Sequence, residues 1–188
     1  MSKNRLFVGV TGAQGVGKST FAANLRMQLE QLIDVPIYLI DGLGEKLKNK
    51  NIPFGSAATP DSIAAAYSIH IQRELDAPSG IIVLDRCIID AIAYVRSLRV
   101  TSSQQTELFE VITRCRAADL DLLVHLQMTH PFAQSAADHE SAELREEVGA
   151  QILKAIDELK LNHISINAAD ESAVDRVSRV IVEKVGRT

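Results

Sequence analysis

The sequence has few of the features that mark secreted, membrane-spanning or nucleic-acid-binding proteins. Its two cysteines, Cys87 and Cys115, lie far apart and outside any Cys-x-x-Cys spacing. A disulfide framework is therefore not expected, and a reducing compartment fits. No apolar run approaches the ~18 residues that a membrane span needs, and the run from Leu6 to Val10 is shorter than a signal-peptide core of ~7–15 residues. We therefore expect a cytoplasmic protein with no membrane partner.

Excess positive charge is also missing. The formal net charge is −4, so no general attraction to nucleic acid follows, and no nucleic-acid partner is expected. The chain has 188 residues, of which 46% are hydrophobic and 23% are charged. This composition is typical of globular proteins, and the length predicts one domain over residues 1–188.

Short apolar runs alternate with segments of helical period along the chain. The runs predict strands at Leu6–Thr11, Ile37–Ile40, Ile81–Leu84, Leu122–Met128 and His163–Asn167. Helical periods predict helices at Lys18–Ile33, Thr106–Ala117, Ala142–Leu161 and Ala173–Val185. Two further helices are predicted to begin at Pro60, after an N-cap at Thr59, and near Asp90. This alternation predicts an α/β fold, with a parallel sheet covered by helices on both faces.

A glycine-rich segment between the first predicted strand and helix matches G-x-x-x-x-G-K-[ST]. We expect it to bind the phosphates of ATP through Gly12, Ala13, Gln14, Gly15, Val16, Gly17, Lys18, Ser19 and Thr20. Glycines let successive N–H groups turn towards a phosphate, and the helix N-terminus adds its positive end. Lys18 is expected to lie exposed in the loop and reach the β- and γ-phosphates, while the Ser19 hydroxyl is offered to Mg²⁺.

The run Ile81–Leu84 ends in Asp85, followed by Arg86. Next to a phosphate loop, an acid at this position is expected on the Mg²⁺ side of the nucleotide. Many hydrolytic ATPases carry Glu after that Asp to orient water, whereas a guanidinium binds anionic oxygens and stabilises transferring phosphoryl charge. The pair therefore favours phosphoryl transfer to a bound acceptor. The alternative is that Arg86 simply pairs with a structural carboxylate.

Two stretches carry a family resemblance. The segment from Val10 to Thr20 resembles the opening of small P-loop kinases, and the segment from Leu84 to Tyr94 resembles the Asp-Arg-(x)₃-Asp-(x)₃-Tyr stretch of the ribosylnicotinamide-kinase-like AAA domain family. That family is related in plan to deoxynucleoside and thymidylate kinases. The resemblance implies a P-loop NTPase with a five-stranded parallel sheet, and ATP-dependent phosphorylation of a nucleoside-like or nucleotide acceptor.

The resemblance also implies roles for residues elsewhere. Asp41 ends the second strand, where such kinases carry the acid that faces the acceptor hydroxyl, so it is a candidate general base; the alternative is an ordinary Asp-Gly turn. The candidate lid is residues 129–147, and Arg145 is its one arginine, either closing on the phosphates or forming pairs on a helix surface. Tyr67, Arg73 and Tyr94 are candidate acceptor-pocket residues.

Two further functions compete with a small-molecule kinase that uses ATP and Mg²⁺. The first is a non-catalytic ATP-binding sensor, because the lid pattern is incomplete and no arginine follows Asp41 shortly in the sequence. The second is a GTPase switch, which is disfavoured because no Asn-Lys-x-Asp guanine motif occurs. The identity of the acceptor has no readable code in the sequence.

Overall fold

The computed structural model describes residues 5–127, 141–167 and 169–186. Five strands alternate with helices, in the order β1 (Arg5–Thr11), α1 (Lys18–Leu32), β2 (Ile37–Ile40), α2 (Leu43–Asn49), α3 (Pro60–Leu75), β3 (Gly80–Asp85), α4 (Ile88–Leu98), α5 (Ser103–Ala117), β4 (Leu122–Gln127), α6 (Ala142–Glu158), β5 (His163–Asn167) and α7 (Ala173–Val185). A single 3₁₀ turn, Gly55–Ala57, lies between α2 and α3. None of the described helices is long and apolar enough to cross a membrane.

The strands form one sheet in the order β2-β3-β1-β4-β5, and every neighbouring pair is parallel. Helices α1 and α7 cover one face of the sheet, and α3, α4, α5 and α6 cover the other. Buried aliphatic residues on both faces of the central strands explain the continuous apolar runs in the sequence. The predicted α/β fold with a five-stranded parallel sheet is confirmed.

Most of the predicted strands and helices are present. Two helices begin earlier than predicted, because the residues that cap them were not recognised in the sequence. Helix α4 begins at Ile88 rather than near Asp90, because the Asp90 carboxylate accepts a 2.9 Å hydrogen bond from the backbone N–H of Cys87. Helix α5 begins at Ser103 rather than near Thr106, because Ser102 and Gln105 form a reciprocal capping box. Helix α2 was not predicted.

Apolar residues at helical spacing form a stripe on each of two helices, and the last member of each stripe is exposed. The stripes are Phe21, Leu25, Leu29 and Leu32 in α1, and Ile63, Tyr67, Ile71 and Leu75 in α3. Leu32 is 49% exposed and Leu75 is 56% exposed, and each is the last residue of its helix. The rest of the α1 stripe, namely Phe21, Leu25 and Leu29, is buried. In α3 the stripe turns towards polar residues after Tyr67, and His70, Arg73 and Glu74 are buried in place of Leu75.

The carboxyl ends of three strands bring the predicted site residues to one edge of the sheet. Val10 of β1 pairs with Asp85 of β3, and Ile40 of β2 pairs with Leu84. The phosphate loop, Asp85-Arg86 and Asp41 therefore follow adjacent strands at the same edge, where ligands bind in open α/β sheets.

Candidate active site

The phosphate loop between β1 and α1 is built on glycines that no other residue replaces easily. Gly12 has φ 148° and Gly17, the N-cap of α1, has φ 88°. A Cβ on Gly12 would lie 2.6 Å from the backbone oxygen of Leu126 in β4. The side chains of Ala13 and Val16 are buried in the core, so they anchor the loop while its backbone stays at the edge of the sheet.

Lys18 is not exposed, contrary to the sequence prediction. It is 5% exposed, and its Nζ donates to the carbonyl oxygens of Gly12 at 2.8 Å and Ala13 at 2.6 Å. The ammonium folds back over its own loop because those carbonyls compensate the loss of water around a buried charge. Phosphates entering the loop would replace carbonyl contacts of Lys18 with stronger ionic ones.

Ser19 and Asp85 lie together, as the predicted metal site requires. The Ser19 hydroxyl donates to Asp85 Oδ2 at 2.6 Å, and Asp85 is 8% exposed. The other carboxylate oxygen, Oδ1, is buried and has no hydrogen-bond partner in the part of the chain that the structure describes. A hydroxyl beside a carboxylate with an unused oxygen is the hard donor set that Mg²⁺ prefers, with water and phosphates completing its shell. These residues fit a magnesium ion held with a nucleotide.

Arg86 directly follows β3 in a conformation that side chains rarely adopt. Its φ is 67°, and its backbone N–H donates to Val10 O at 3.1 Å. A left-handed non-glycine residue costs about 1–3 kcal/mol and persists where its surroundings hold it. Burial lowers the pKa of the guanidinium, but Tyr94, which is hydrogen-bonded to it, and Asp90 raise it, and the net shift is upward. Arg86 therefore stays charged.

A cavity of about 290 Å³ opens beside the phosphate loop, and we refer to it as the acceptor cavity after the acceptor that the sequence analysis predicts. Its volume is near the lower end of the ~300–1,000 Å³ typical of small-molecule sites. Residues of α2, the 3₁₀ turn, α3 and α4 form its walls. Its aromatic and polar lining includes Gln14, Phe54, Tyr67, His70, Arg86 and Tyr94. The loop residue Gln14 and Arg86 thus line the same open cavity.

Helix α2 and His70 are the parts of this cavity that the sequence prediction missed. Leu43 and Leu47 of α2 close one wall. His70 is 3% exposed, and burial, together with the charges of Arg73 and Arg86, lowers the pKa of its imidazole to about 3. The signal for His70 was its position three residues after Tyr67 and seven after Ile63, on the same helical stripe. Its imidazole is uncharged at neutral pH.

Asp41 lies at the same edge of the sheet but does not line the acceptor cavity. It is exposed and lines a separate surface hollow with Arg73 and Lys46. Arg73 Nη2 donates to Ile40 O at 2.5 Å and to Asp85 O at 3.4 Å, so this guanidinium links the ends of β2 and β3. The structure therefore brings Asp41 together with Arg73 rather than with Arg86. Its role as a general base stays a prediction.

Arg145 belongs to the first turn of α6 and is buried, so it is not a surface arginine. A Cβ on Gly149, four residues later on the same helix face, would lie 3.7 Å from the side chain of Ala13. This contact puts the Arg145 face of α6 towards the phosphate loop. Most of the candidate lid, residues 129–140, lies outside the described residues, and a lid role for Arg145 stays a prediction.

The edge of the sheet therefore combines a phosphate loop, a Mg²⁺-compatible pair and an adjoining cavity, which define the class of P-loop nucleotide-binding proteins. A family model described as an AAA domain matches residues 7–173. Because this match spans most of the sequence, the chain belongs to that AAA domain family. No curated protein matches the chain.

Solved structures with the same fold include the NadR protein, a deoxyadenosine kinase and a thymidylate kinase. A structure of the NadR protein with NAD and AMP-PNP has a TM-score of 0.67 at 20% identity, covering 97% of this chain and 50% of that one. A structure of deoxyadenosine kinase from M. mycoides has a TM-score of 0.62 at 12% identity, and the match covers 97% of this chain and 99% of that one. A structure of thymidylate kinase from Ehrlichia chaffeensis has a TM-score of 0.65 at 13% identity, and the match covers 96% of this chain and 98% of that one. The chain thus spans about half the length of NadR and nearly all of the two kinases.

Proposed function

We propose that this protein is an ATP-dependent phosphotransferase that phosphorylates a small nucleoside-like or nucleotide acceptor. The observation that carries the proposal is the acceptor cavity, which is lined both by Gln14 of the phosphate loop and by Arg86. A protein that only hydrolyses or senses ATP has no need of an additional cavity beside the phosphate loop. The kinase-like fold and family support the same proposal.

Each residue of the edge has a defined task in this proposal. The loop N–H groups and Lys18 bind the phosphates of ATP, and Ser19 with Asp85 holds Mg²⁺, which neutralises phosphate charge when bound. Arg86 projects into the acceptor cavity and stabilises charge on the phosphoryl group during transfer. Arg145 is proposed to approach the phosphates from α6. Because the transition state of such transfers is loose, positioning contributes more than a strong base.

The alternative of a non-catalytic ATP sensor has one specific observation in its favour. Asp41, the candidate base, does not share a cavity with Arg86. A sensor would bind MgATP and change conformation without transferring a phosphoryl group. The two functions therefore differ in whether a phosphorylated product forms.

A product assay tests the proposal. The purified protein is incubated with MgATP and ribosylnicotinamide, the common ribo- and deoxyribonucleosides or their monophosphates, and ADP and phosphorylated products are quantified by mass spectrometry. We expect one acceptor class to be phosphorylated. Binding of MgATP with no product from any acceptor would favour the sensor.

A pair of substitutions connects the product to the cavity. Ala66 lines the acceptor cavity, whereas Ala64 of the same helix is exposed. Ala66→Phe should fill the cavity and abolish product formation while the Kd for MgATP is retained. Ala64→Phe should leave both unchanged. Equal activity of the two variants would show that the reaction does not require the acceptor cavity.

A further inference from the structure

The acceptor cavity contains polar wall groups, and most of them are already committed to protein partners. The Tyr67 hydroxyl is hydrogen-bonded to Thr113 Oγ1 at 2.9 Å. The Ser62 hydroxyl donates to Thr59 O at 2.9 Å and accepts from Thr59 N at 2.7 Å, within the cap of α3. The side chain of Tyr94 is hydrogen-bonded to Arg86. These groups shape the wall, and their hydrogen bonds would have to break before they could bind a ligand.

His70 is different from these neighbours. It is 3% exposed and lines the cavity, yet its ring nitrogens make no hydrogen bond to any residue that the structure describes. The few polar side chains in the walls of a small-molecule site orient the bound ligand through hydrogen bonds. The imidazole of His70 is therefore available to hydrogen-bond a molecule that enters the cavity.

The charges around His70 define what it can bind. Arg73 and Arg86 are both close enough to His70 to oppose its protonation, and burial acts in the same direction. A neutral imidazole offers one N–H donor and one nitrogen acceptor, and it offers no charge. It therefore suits an uncharged polar group, such as the edge of a heterocyclic ring or a sugar hydroxyl, rather than a phosphate, which a cation binds better.

We propose that His70 is the specificity residue of the acceptor cavity, where its uncharged imidazole hydrogen-bonds the polar edge of a nucleoside-like acceptor. This inference rests on the proposed function and adds to it the side chain that selects the acceptor. Arg86 lines the same cavity, so the acceptor is held between a neutral group that recognises it and a charged group that faces its phosphorylated end. His70 contributes to acceptor binding and not to ATP binding.

Steady-state kinetics of two variants test this proposal. His70→Leu keeps the bulk and removes both hydrogen-bonding nitrogens, whereas His70→Gln keeps a donor and an acceptor. For the best acceptor of the nucleoside panel, His70→Leu should raise the KM about tenfold, the equivalent of one lost hydrogen bond, and leave the Kd for MgATP unchanged. His70→Gln should recover most of the lost affinity. The control is His163→Leu, because His163 is exposed on β5.

The outcomes separate this inference from the proposed function. An unchanged acceptor KM in a folded His70→Leu variant, or a rise that His70→Gln does not reverse, would overturn it. If no nucleoside or nucleotide of the panel is phosphorylated, the proposed function fails, and the inference is tested by calorimetric titration of the same compounds into the ATP-bound protein. Weaker binding to His70→Leu, restored in His70→Gln, would support it, and no binding to the wild type or equal binding to all variants would overturn it.

Discussion

At the scale of single residues, the sequence predicts which side chains lie at the candidate active site, at the carboxyl edge of the sheet. It does not predict what surrounds each of those side chains. The motif and the ends of parallel strands place Lys18, Ser19, Asp85 and Arg86 at one edge of the sheet, and their roles there stay predictions. The sequence did not predict that Lys18 folds onto the loop carbonyls, since that depends on backbone geometry. It also missed His70, whose imidazole pKa is lowered by burial and, to a smaller extent, by the charges of Arg73 and Arg86.

Removing the ammonium of Lys18 should remove most of the affinity for MgATP. The ammonium is expected to make charge-assisted contacts of about 1.5–3 kcal/mol each with phosphate oxygens, so Lys18→Met should weaken binding by about 100-fold or more. Isothermal titration calorimetry measures the change, and Lys154→Met, which alters an exposed lysine of α6, is the control. Wild-type affinity in a folded Lys18→Met variant would contradict the phosphate-loop assignment.

The role assigned to Asp85 is specific to the metal. Asp85→Asn keeps the shape of the side chain and its contact with Ser19 but removes the charge that favours Mg²⁺. Nucleotide affinity measured with Mg²⁺ should fall, whereas affinity measured in excess EDTA should change little. Equal losses under both conditions would show that Asp85 acts on the fold or the nucleotide directly.

At the scale of secondary-structure elements, prediction succeeded where local rules govern. The start of α3 was placed correctly, because Thr59 and Pro60 are a cap and a first-turn residue, and the structure shows Thr59 and Ser62 in a reciprocal capping box. Helix α2 was missed because its seven residues include one glycine and three charged side chains, which leave no clear apolar period. Its apolar residues Leu43 and Leu47 line the acceptor cavity. Its helical form depends on tertiary packing.

The cap of α3 should have a measurable effect on stability. Thr59→Ala removes the side-chain acceptor for the backbone N–H of Ser62, and the free energy of unfolding should fall by about 1 kcal/mol. Urea denaturation measures the difference. Ser68→Ala, on the exposed face of the same helix, is the control and should not destabilise the protein. Equal stability of Thr59→Ala and the wild type would mean that packing alone holds the start of α3.

At the scale of the whole molecule, the fold was predictable and the shape of the acceptor cavity was not. Alternating strands and helices determine a parallel sheet, and the phosphate loop determines which edge binds the nucleotide. The cavity requires α2, α3 and α4 to meet, and no local pattern encodes that meeting. For the same reason, the sequence left open whether Asp41 is a general base or part of an Asp-Gly turn, and the structure places Asp41 and Arg86 in separate hollows.

Burial of neutral His70 should make the folded state sensitive to acid. The pKa of His70 is about 3 in the folded protein and about 6.5 in the unfolded chain. Between these two pH values, the imidazole is protonated in the unfolded chain and neutral in the folded protein. The stabilisation is complete above pH 6.5 and is lost as the pH falls from 6.5 towards 3, amounting to about 2 kcal/mol between pH 7.5 and pH 5. Urea denaturation at several pH values should show a smaller loss for His70→Leu than for the wild type. Parallel losses in the two proteins would contradict a buried neutral imidazole.

The measurement that tests phosphoryl transfer most directly is the fate of the γ-phosphate of ATP. The protein is supplied with γ-labelled MgATP and the nucleoside and nucleotide panel, and labelled acceptor, inorganic phosphate and ADP are quantified together. Transfer into the acceptor cavity predicts one labelled acceptor for each ADP formed, with little labelled inorganic phosphate. Labelled inorganic phosphate in the same amount as ADP, or bound ATP that stays intact with every acceptor, would contradict the account.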